Sequence, residues 1–511
     1  MGGVSKTVRV SERLNFIACD CGNSSIRVML GSFDGGKIEI RTVVSELNEM
    51  VLIGDYHYWD ILHIFYVLKE GIKKALSMAG RIDSIGVCTW GVDFSLFDKD
   101  GLMLGNPLSY RNTIGAQILN EIDDDSQRHM FLETGILSDK INSVYMLKGM
   151  QQKMPGIFSA ADKLLMIPDM LNYFFTGKML NEPSEISTTQ MFDTDKMQIS
   201  REVCNKMGIP EEIFCSIGKH GTAIGNLLPA LKEELDIDYD IPVICVPSHD
   251  TASAVLGTPA REKQFSFISS GTWALIGAEC EKPIISDEVM AANLTNEVGA
   301  FGKITLLKNS IGMFIIQRLK KEYDEEKGSK CTWDEFNALA ESGQGMPALF
   351  NVNDSAFFNP FRMSTSIWEY LKKSGQVGGK MNWNTIVSSV HNSMACSYAA
   401  ALEDISRITG LDYGRVYIVG GGSRNASINR LCADITGWKV VACPMECTSI
   451  GNVAAQIKYF YPEYTYHQIK DIVADSLECV TFIPEKDRSS LLVSYKKLCA
   501  DCASDIWGMS L

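Results

Sequence analysis

Phe16-Ile17-Ala18-Cys19-Asp20-Cys21-Gly22-Asn23-Ser24-Ser25-Ile26-Arg27-Val28-Met29-Leu30 sets a small polar turn between two apolar runs. About 250 residues later Phe265-Ser266-Phe267-Ile268-Ser269-Ser270-Gly271-Thr272-Trp273-Ala274-Leu275-Ile276-Gly277 repeats the pattern. Each reads as strand, turn, strand. A tight turn of Gly, Ser and Thr lets several main-chain N–H groups converge on one anion, so a pair of them in two halves of a chain points to a polyphosphate held between domains. A single turn would say little, because the same residues close an ordinary hairpin. A third glycine-rich segment follows, where strand-like Arg415–Val419 empties into Gly420-Gly421-Gly422-Ser423-Arg424-Asn425 and a helix from about 427 to 436. A plain strand-to-helix turn uses one glycine for positive φ; three permit close approach of a ligand.

At 511 residues the chain exceeds one compact core, and two domains follow from ordinary domain sizes. Hydrophobic residues at 46% and charged ones at 22% fit a globular protein. Fifteen cysteines lie scattered in apolar runs such as Val243-Ile244-Cys245-Val246, without framework spacing or a secretory signal, and read as reduced thiols of a cytoplasmic protein. Cys499 and Cys502 form a C-x-x-C, and Cys443 and Cys447 precede them, yet no spaced partner pair with His completes a zinc site. Packing in a terminal helix is the expected role. The net charge of −14 without a basic stripe argues against nucleic acid or an anionic membrane as main partner. No apolar run reaches the ~18 residues of a membrane span, and Lys6 breaks the myristoylation pattern that Gly2 begins.

Along the chain, residues 1–13 read as a loose polar leader. Strands at 14–20, 26–33 and 37–44 form an antiparallel meander broken by Gly22 and by Asp34-Gly35-Gly36. Helical periodicity over 59–79 and a short buried strand Ile85-Gly86-Val87-Cys88 complete a βββαβ order. Residues 163–178 read as a helix stopped at Gly177, and 183–190 as a polar loop leading into a helix. Residues 241–246 form a strand running into Pro247-Ser248-His249-Asp250-Thr251, and 257–264 are charged and hinge-like. The expected fold class is α/β, with domains at 14–258 and 262–490.

The duplicated pattern resembles the actin/hexokinase/Hsp70 (ribonuclease H-like) ATPases, in which two similar α/β domains close over ATP. Five motifs in order narrow this: Thr89-Trp90-Gly91-Val92-Asp93-Phe94, Ser248-His249-Asp250-Thr251-Ala252-Ser253-Ala254, Ser269-Ser270-Gly271-Thr272-Trp273, Leu307-Lys308-Asn309 with Gln317, and Gly420-Gly421-Gly422. With them the chain resembles the FGGY-type carbohydrate kinases from residue 16 to about 460, and most of all their rhamnulokinase branch. The resemblance implies transfer of the γ-phosphoryl group of ATP, with Mg²⁺, to a ketose hydroxyl, L-rhamnulose giving L-rhamnulose 1-phosphate. It makes Asp250 the general base, a role that suits phosphoryl transfer because a positioned carboxylate must take the alcohol proton. The same Asp is placed to cap a helix N-terminus. By the same resemblance Asp20 lies beside Mg²⁺ through water, Asn23, Ser24, Ser25, Ile26 and Arg27 form the first phosphate loop, and Thr272 contacts the β/γ-phosphates. Gly421, Gly422 and Gln317 fall on the nucleotide side; Gly91, His249, Asp250, Thr251 and Asn309 fall on the sugar. A lone His in an apolar setting is commonly a core residue, but its place beside the base favours a sugar hydroxyl.

Three departures from the rhamnulokinase pattern fall on the expected sugar side: Cys88 and Asn112 where Asp is usual, and Leu137-Ser138-Asp139-Lys140-Ile141 where an apolar stretch is usual. A buried polar group discriminates sharply when it is unpaired, so these positions bear on which sugar fits. L-fuculose or a pentulose is the alternative substrate. A non-sugar ATPase of the same superfold, or a sugar sensor without turnover, is the alternative of another class; the first has no use for a pocket built from Trp90, His249 and Asn309.

Overall fold

The computed structural model describes residues 13–341, 347–358 and 360–501. All of the expected leader but Arg13 lies outside them, with Gly2 and Lys6, and so does Cys502.

Two sheets carry the molecule. The first runs, edge to edge, Thr222–Asn226, Pro242–Cys245, Ser84–Thr89, Leu14–Cys21, Ser25–Phe33 and Ile38–Leu47. The second runs Thr295–Val298, Ile304–Ile311, Trp273–Cys280, Ser266–Ser270, Arg415–Val419, Lys439–Ala442 and Val480–Phe482. Five strands of each share one plan: the first three in chain order are antiparallel neighbours, and two parallel strands extend the sheet from the first. The apolar runs around the two quoted turns are therefore the same pair of strands in two copies. The inner strands Leu14–Cys21 and Ser84–Thr89 are buried almost throughout, which is why they read as continuous apolar runs rather than alternating ones.

The Asp250–Leu256 helix and the Cys447–Phe460 helix cross where the halves meet. A Cβ on Gly451 would overlap the Ser253 carbonyl, and one on Gly257 would overlap the Cys447 carbonyl, so the helices touch backbone to backbone. The Cys447–Phe460 and Tyr466–Ser476 helices then cover a face of the first sheet, placing Ile450, Val453, Ile457 and Val473 against Phe16, Ala18 and Met29. A buried polar row on that helix locks it down. Ser449 Oγ donates to Asp20 Oδ2 (3.0 Å), Asn452 Nδ2 to Cys88 Sγ (3.0 Å), and Gln456 Nε2 to the Ile17 carbonyl (2.9 Å).

Several local expectations change. Residues 163–178 begin as a strand, Lys163–Met166, paired with Phe94–Phe97, and only then turn into the Ile167–Thr176 helix with Gly177 left-handed at its end. Pro168 at the start of that helix fixes where the strand can give way. The polar stretch 183–190 is wholly buried, its hydroxyls bonded to nearby carbonyls and to Glu182. Asp250 is the first residue of its helix, with His249 in the cap position. No helix among the described residues is long and apolar enough to cross a membrane.

Candidate active site

The first turn, between Leu14–Cys21 and Ser25–Phe33, is closed by Gly22 N–H donating to the Ser25 carbonyl (2.8 Å) and braced by Asn48, whose Nδ2 donates to the Gly22 carbonyl (2.8 Å). Asp20, buried at the turn's base, accepts from Arg27 Nη2 (2.7 Å) and Ser449 Oγ, both on Oδ2, so Oδ1 remains available. Asn23 Oδ1 and Arg27 Nε are buried without a partner. Orphaned polar atoms beside a buried carboxylate are what a phosphate–cation group would satisfy. The Ile26 side chain turns into the core, so only its main chain can serve the turn.

The second turn is its counterpart. Gly271 N–H donates to the Trp273 carbonyl (2.8 Å), and the Thr272 carbonyl accepts from Gly312 N–H (3.1 Å), while the Thr272 N–H has no partner among the described residues. Gly422 packs so tightly on Ser270 that a Cβ would overlap its hydroxyl, whereas Gly421 faces open space. The three glycines thus divide the work: Gly420 takes φ 80°, Gly422 meets the second turn, and Gly421 alone leaves room for a ligand. Gln317 is exposed on the Phe314–Lys327 helix and Asn309 half-buried on its strand; no side-chain hydrogen bond ties either to these groups.

Between the turns stands Asp250, lining the cleft with about a third of its side chain open (36%). Burial among protein groups nonetheless pushes its carboxyl up; the His249 charge pulls it down, and the Asp20 charge adds to the rise. Thr251 Oγ1 donates to Asp250 Oδ1 (3.3 Å). The open third of Asp250 marks a hollow beside the base, and Gly91 lets the strand end pack close to Thr188 and the His249 ring, which a Cβ there would crowd. Buried next to Gly91 along the chain, Trp59 and Trp90, rings 4.3 Å apart, both donate to Asp93 Oδ2 (2.6 and 2.9 Å). Trp273 of the second turn packs on Phe358, which in turn lies under Lys140 Nζ at 4.5 Å. The two halves thereby meet at the Phe358 ring.

The structure brings together Asp20, Asn23 and Arg27, and separately Gly91, His249, Asp250 and Thr251. The departures behave differently from expectation. Cys88 points away from the hollow, to Ser253 Oγ (3.1 Å) and Asn452, because alternation along its strand directs it to the helix crossing. Asn112 makes a paired contact with the His57 main chain (2.9 Å each way), a fastening role. Asp139 is buried in its own turn and pushed up to about 7 by burial, with Ile141, Lys140 and the turn N–H groups holding it back. Glu297, on the second sheet, lies 3.2 Å from His249 Nδ1 and was missed in the sequence; an acid inside the otherwise buried Thr295–Val298 strand was its only signal.

Comparison with known proteins agrees with this geometry. Residues 15–257 match the N-terminal domain, and residues 266–458 the C-terminal domain, of the FGGY family of carbohydrate kinases. The chain is 34% identical over 467 residues to a rhamnulokinase of Oceanobacillus iheyensis, covering 91% of this chain and 97% of the relative. It is 34% identical over 475 residues to a rhamnulokinase of Bacteroides thetaiotaomicron, covering 92% and 96%. In fold it is similar to a gluconate kinase from Lactobacillus acidophilus (TM-score 0.78, 16% identity, 95% and 96% covered). A glycerol kinase of Plasmodium falciparum solved with ADP is also similar (TM-score 0.75, 15% identity, 97% and 99% covered). These matches set the chain apart from the filament and chaperone ATPases that share the superfold: it belongs to the FGGY family of carbohydrate kinases and is a sugar kinase.

Proposed function

We propose that this sugar kinase acts on L-rhamnulose, forming L-rhamnulose 1-phosphate from Mg-ATP, with Asp250 as the general base. The observation that carries the reading is the placement of one cleft carboxylate beside an open hollow and between two phosphate-type turns. Rhamnulokinase relatives matched over nearly their full length support the sugar. So does the inward or fastening role of Cys88 and Asn112, which takes both side chains away from Asp250.

Asp250 takes the proton of the sugar hydroxyl as its oxygen attacks the γ-phosphorus; the bond from that phosphorus to the bridging oxygen breaks and ADP leaves. A raised carboxyl is a stronger base than a free one, which suits the step. Asp20 would hold Mg²⁺, which neutralises phosphate charge when bound. Arg27 and the free N–H groups of the turns would hold the phosphates, and Thr272, Gly421 and Gln317 would face the nucleotide, while Asn309 and Thr251 would face the sugar. Trp273 with Phe358 and Lys140 closes the hollow against water, which would otherwise accept the phosphoryl group. No disulfide forms among the described cysteines, which supports a reducing compartment such as the cytosol.

ADP release with Mg-ATP across L-rhamnulose, L-fuculose, D-xylulose, L-ribulose, D-ribulose and glycerol tests the substrate: strongest stimulation by L-rhamnulose is expected, and preference for another sugar reassigns it. Asp250→Asn is expected to lose about 10²–10⁴-fold in kcat with ATP binding kept. Turnover near wild type would remove Asp250 from the role of base.

A further inference from the structure

The second domain reaches the first at three points, one on the base-bearing turn and two on segments packed behind it. Glu297 Oε2 lies 3.2 Å from His249 Nδ1, Val298 N–H donates to Ser187 Oγ (3.1 Å), and Phe301 N–H donates to His220 Nδ1 (2.9 Å). Because His220 Nδ1 accepts, its ring proton sits on Nε2, facing Glu182. Glu182 in turn accepts from Ser184 Oγ (2.6 Å), and Ser184 Oγ from the His249 N–H (3.0 Å). Both the main chain and the ring of His249 are therefore tied to residues 297–301. The ring stands between two carboxylates, Glu297 and, 3.6 Å from Nε2, Asp250. The Glu297 contact is an ion pair without aligned hydrogen-bond geometry, and both side chains are close to buried, 10% and 12% exposed.

We propose that Glu297 is a positioning residue for phosphoryl transfer: a carboxylate of the second domain that keeps His249 cationic against Asp250 and so orients the base toward the sugar hydroxyl. The proposal rests on the reading of Asp250 as base. It makes the base competent only while residues 295–301 and the 248–250 turn are in contact, which links proton abstraction to the apposition of the two domains.

The groups facing His249 are Glu297 from the second sheet, Asp250 from its own turn and Glu182 from the 181–190 segment; Asp250 itself faces Asp20 and Glu185. Burial works against a charged imidazole, but the Glu297 charge and contact, then Asp250 and Glu182, outweigh it and lift His249 to about 9. A raised histidine keeps its full contribution below its ordinary 6.5 and loses it as the pH rises through about 9.

The test is the pH dependence of kcat for the full chain and for Glu297→Gln, with Mg-ATP and the best ketose of the panel. Wild-type kcat is expected to hold to near pH 9, and that of the variant to fall at lower pH, with ADP affinity and Tm unchanged. A variant profile superimposable on wild type overturns the proposal. A uniform loss at every pH with a lower Tm also overturns it, since that marks a packing role. If Glu297→Gln does not fold, His249→Gln serves instead, and an alkaline limb still near pH 9 in that variant overturns it. Asp250→Asn separates the two readings: retained turnover sinks the base, whereas an inactive Asp250→Asn with an unshifted Glu297→Gln profile sinks only the role of Glu297.

Discussion

The two turns that open the two sheets share a backbone and little else. The first gathers charge: Asp20 and Arg27 are paired at its base, and Asn23 Oδ1 and Arg27 Nε are left buried and unpartnered. The second is neutral, held by its main chain and by the Ser270–Gly422 contact, and ends in Trp273, which packs on Phe358. Duplication supplied the same strand–turn–strand geometry twice, and side chains then gave one copy the phosphate's charge and the other an aromatic contact. A backbone cradle can be copied whole, while electrostatics need one side only, because two sets of buried charge would each have to be compensated.

That asymmetry can be broken by substitution. The largest effect is expected from Arg27→Met, which strips the charged donor from the first turn and leaves Asp20 without its cation: kcat should fall about 10²-fold, measured at saturating sugar, against only a few-fold for Thr272→Ala, whose turn keeps its main-chain donors. Equal losses at the two positions would mean that the turns are chemically alike. Next, Trp273→Ala should raise sugar-independent ADP release several-fold relative to the stimulated rate, as water enters the hollow. Coupled assays with and without ketose measure it, and an unchanged ratio would show that Trp273 excludes nothing.

The smallest effect belongs to the buried Asp93. Burial pushes Asp93 up to about 7, although the Trp90 and Trp59 N–H groups hold it back. Its folded value stands above its unfolded one, so the native state keeps a proton that the unfolded chain releases, and stability declines as the pH rises from about 4 to 7. Asp93→Asn should flatten that slope in Tm and abolish a tryptophan-fluorescence change centred near pH 7. Identical titrations of the two proteins would place the proton elsewhere.

Much of this was legible in the sequence. The continuous apolar runs about Gly22 and Gly271 gave the strands, since inner strands buried on both faces leave no alternation to misread, and Asp250 followed from its motif at a strand-to-helix junction. What escaped was tertiary. Residues 183–190 look like a polar loop because hydroxyls and carboxylates that satisfy one another inside a core have the composition of a surface. Glu297 escaped because its partner His249 is in another domain, and no spacing along the chain encodes an ion pair across a cleft. Cys88 and Asn112 were drawn toward the sugar by their neighbours in sequence, and strand alternation and a main-chain pairing took them elsewhere.

The covering of the first sheet by the Cys447–Phe460 and Tyr466–Ser476 helices also bears on how the protein is made. Phe16, Ala18, Met29, Ile244 and Val246 form a greasy face whose cover is encoded about two hundred residues after Leu256. At the ~5–20 residues per second of a ribosome, the nascent chain carries that bare surface for roughly 10–40 s. The amino-terminal half thus has to keep that face from other partners until synthesis has passed Ser476.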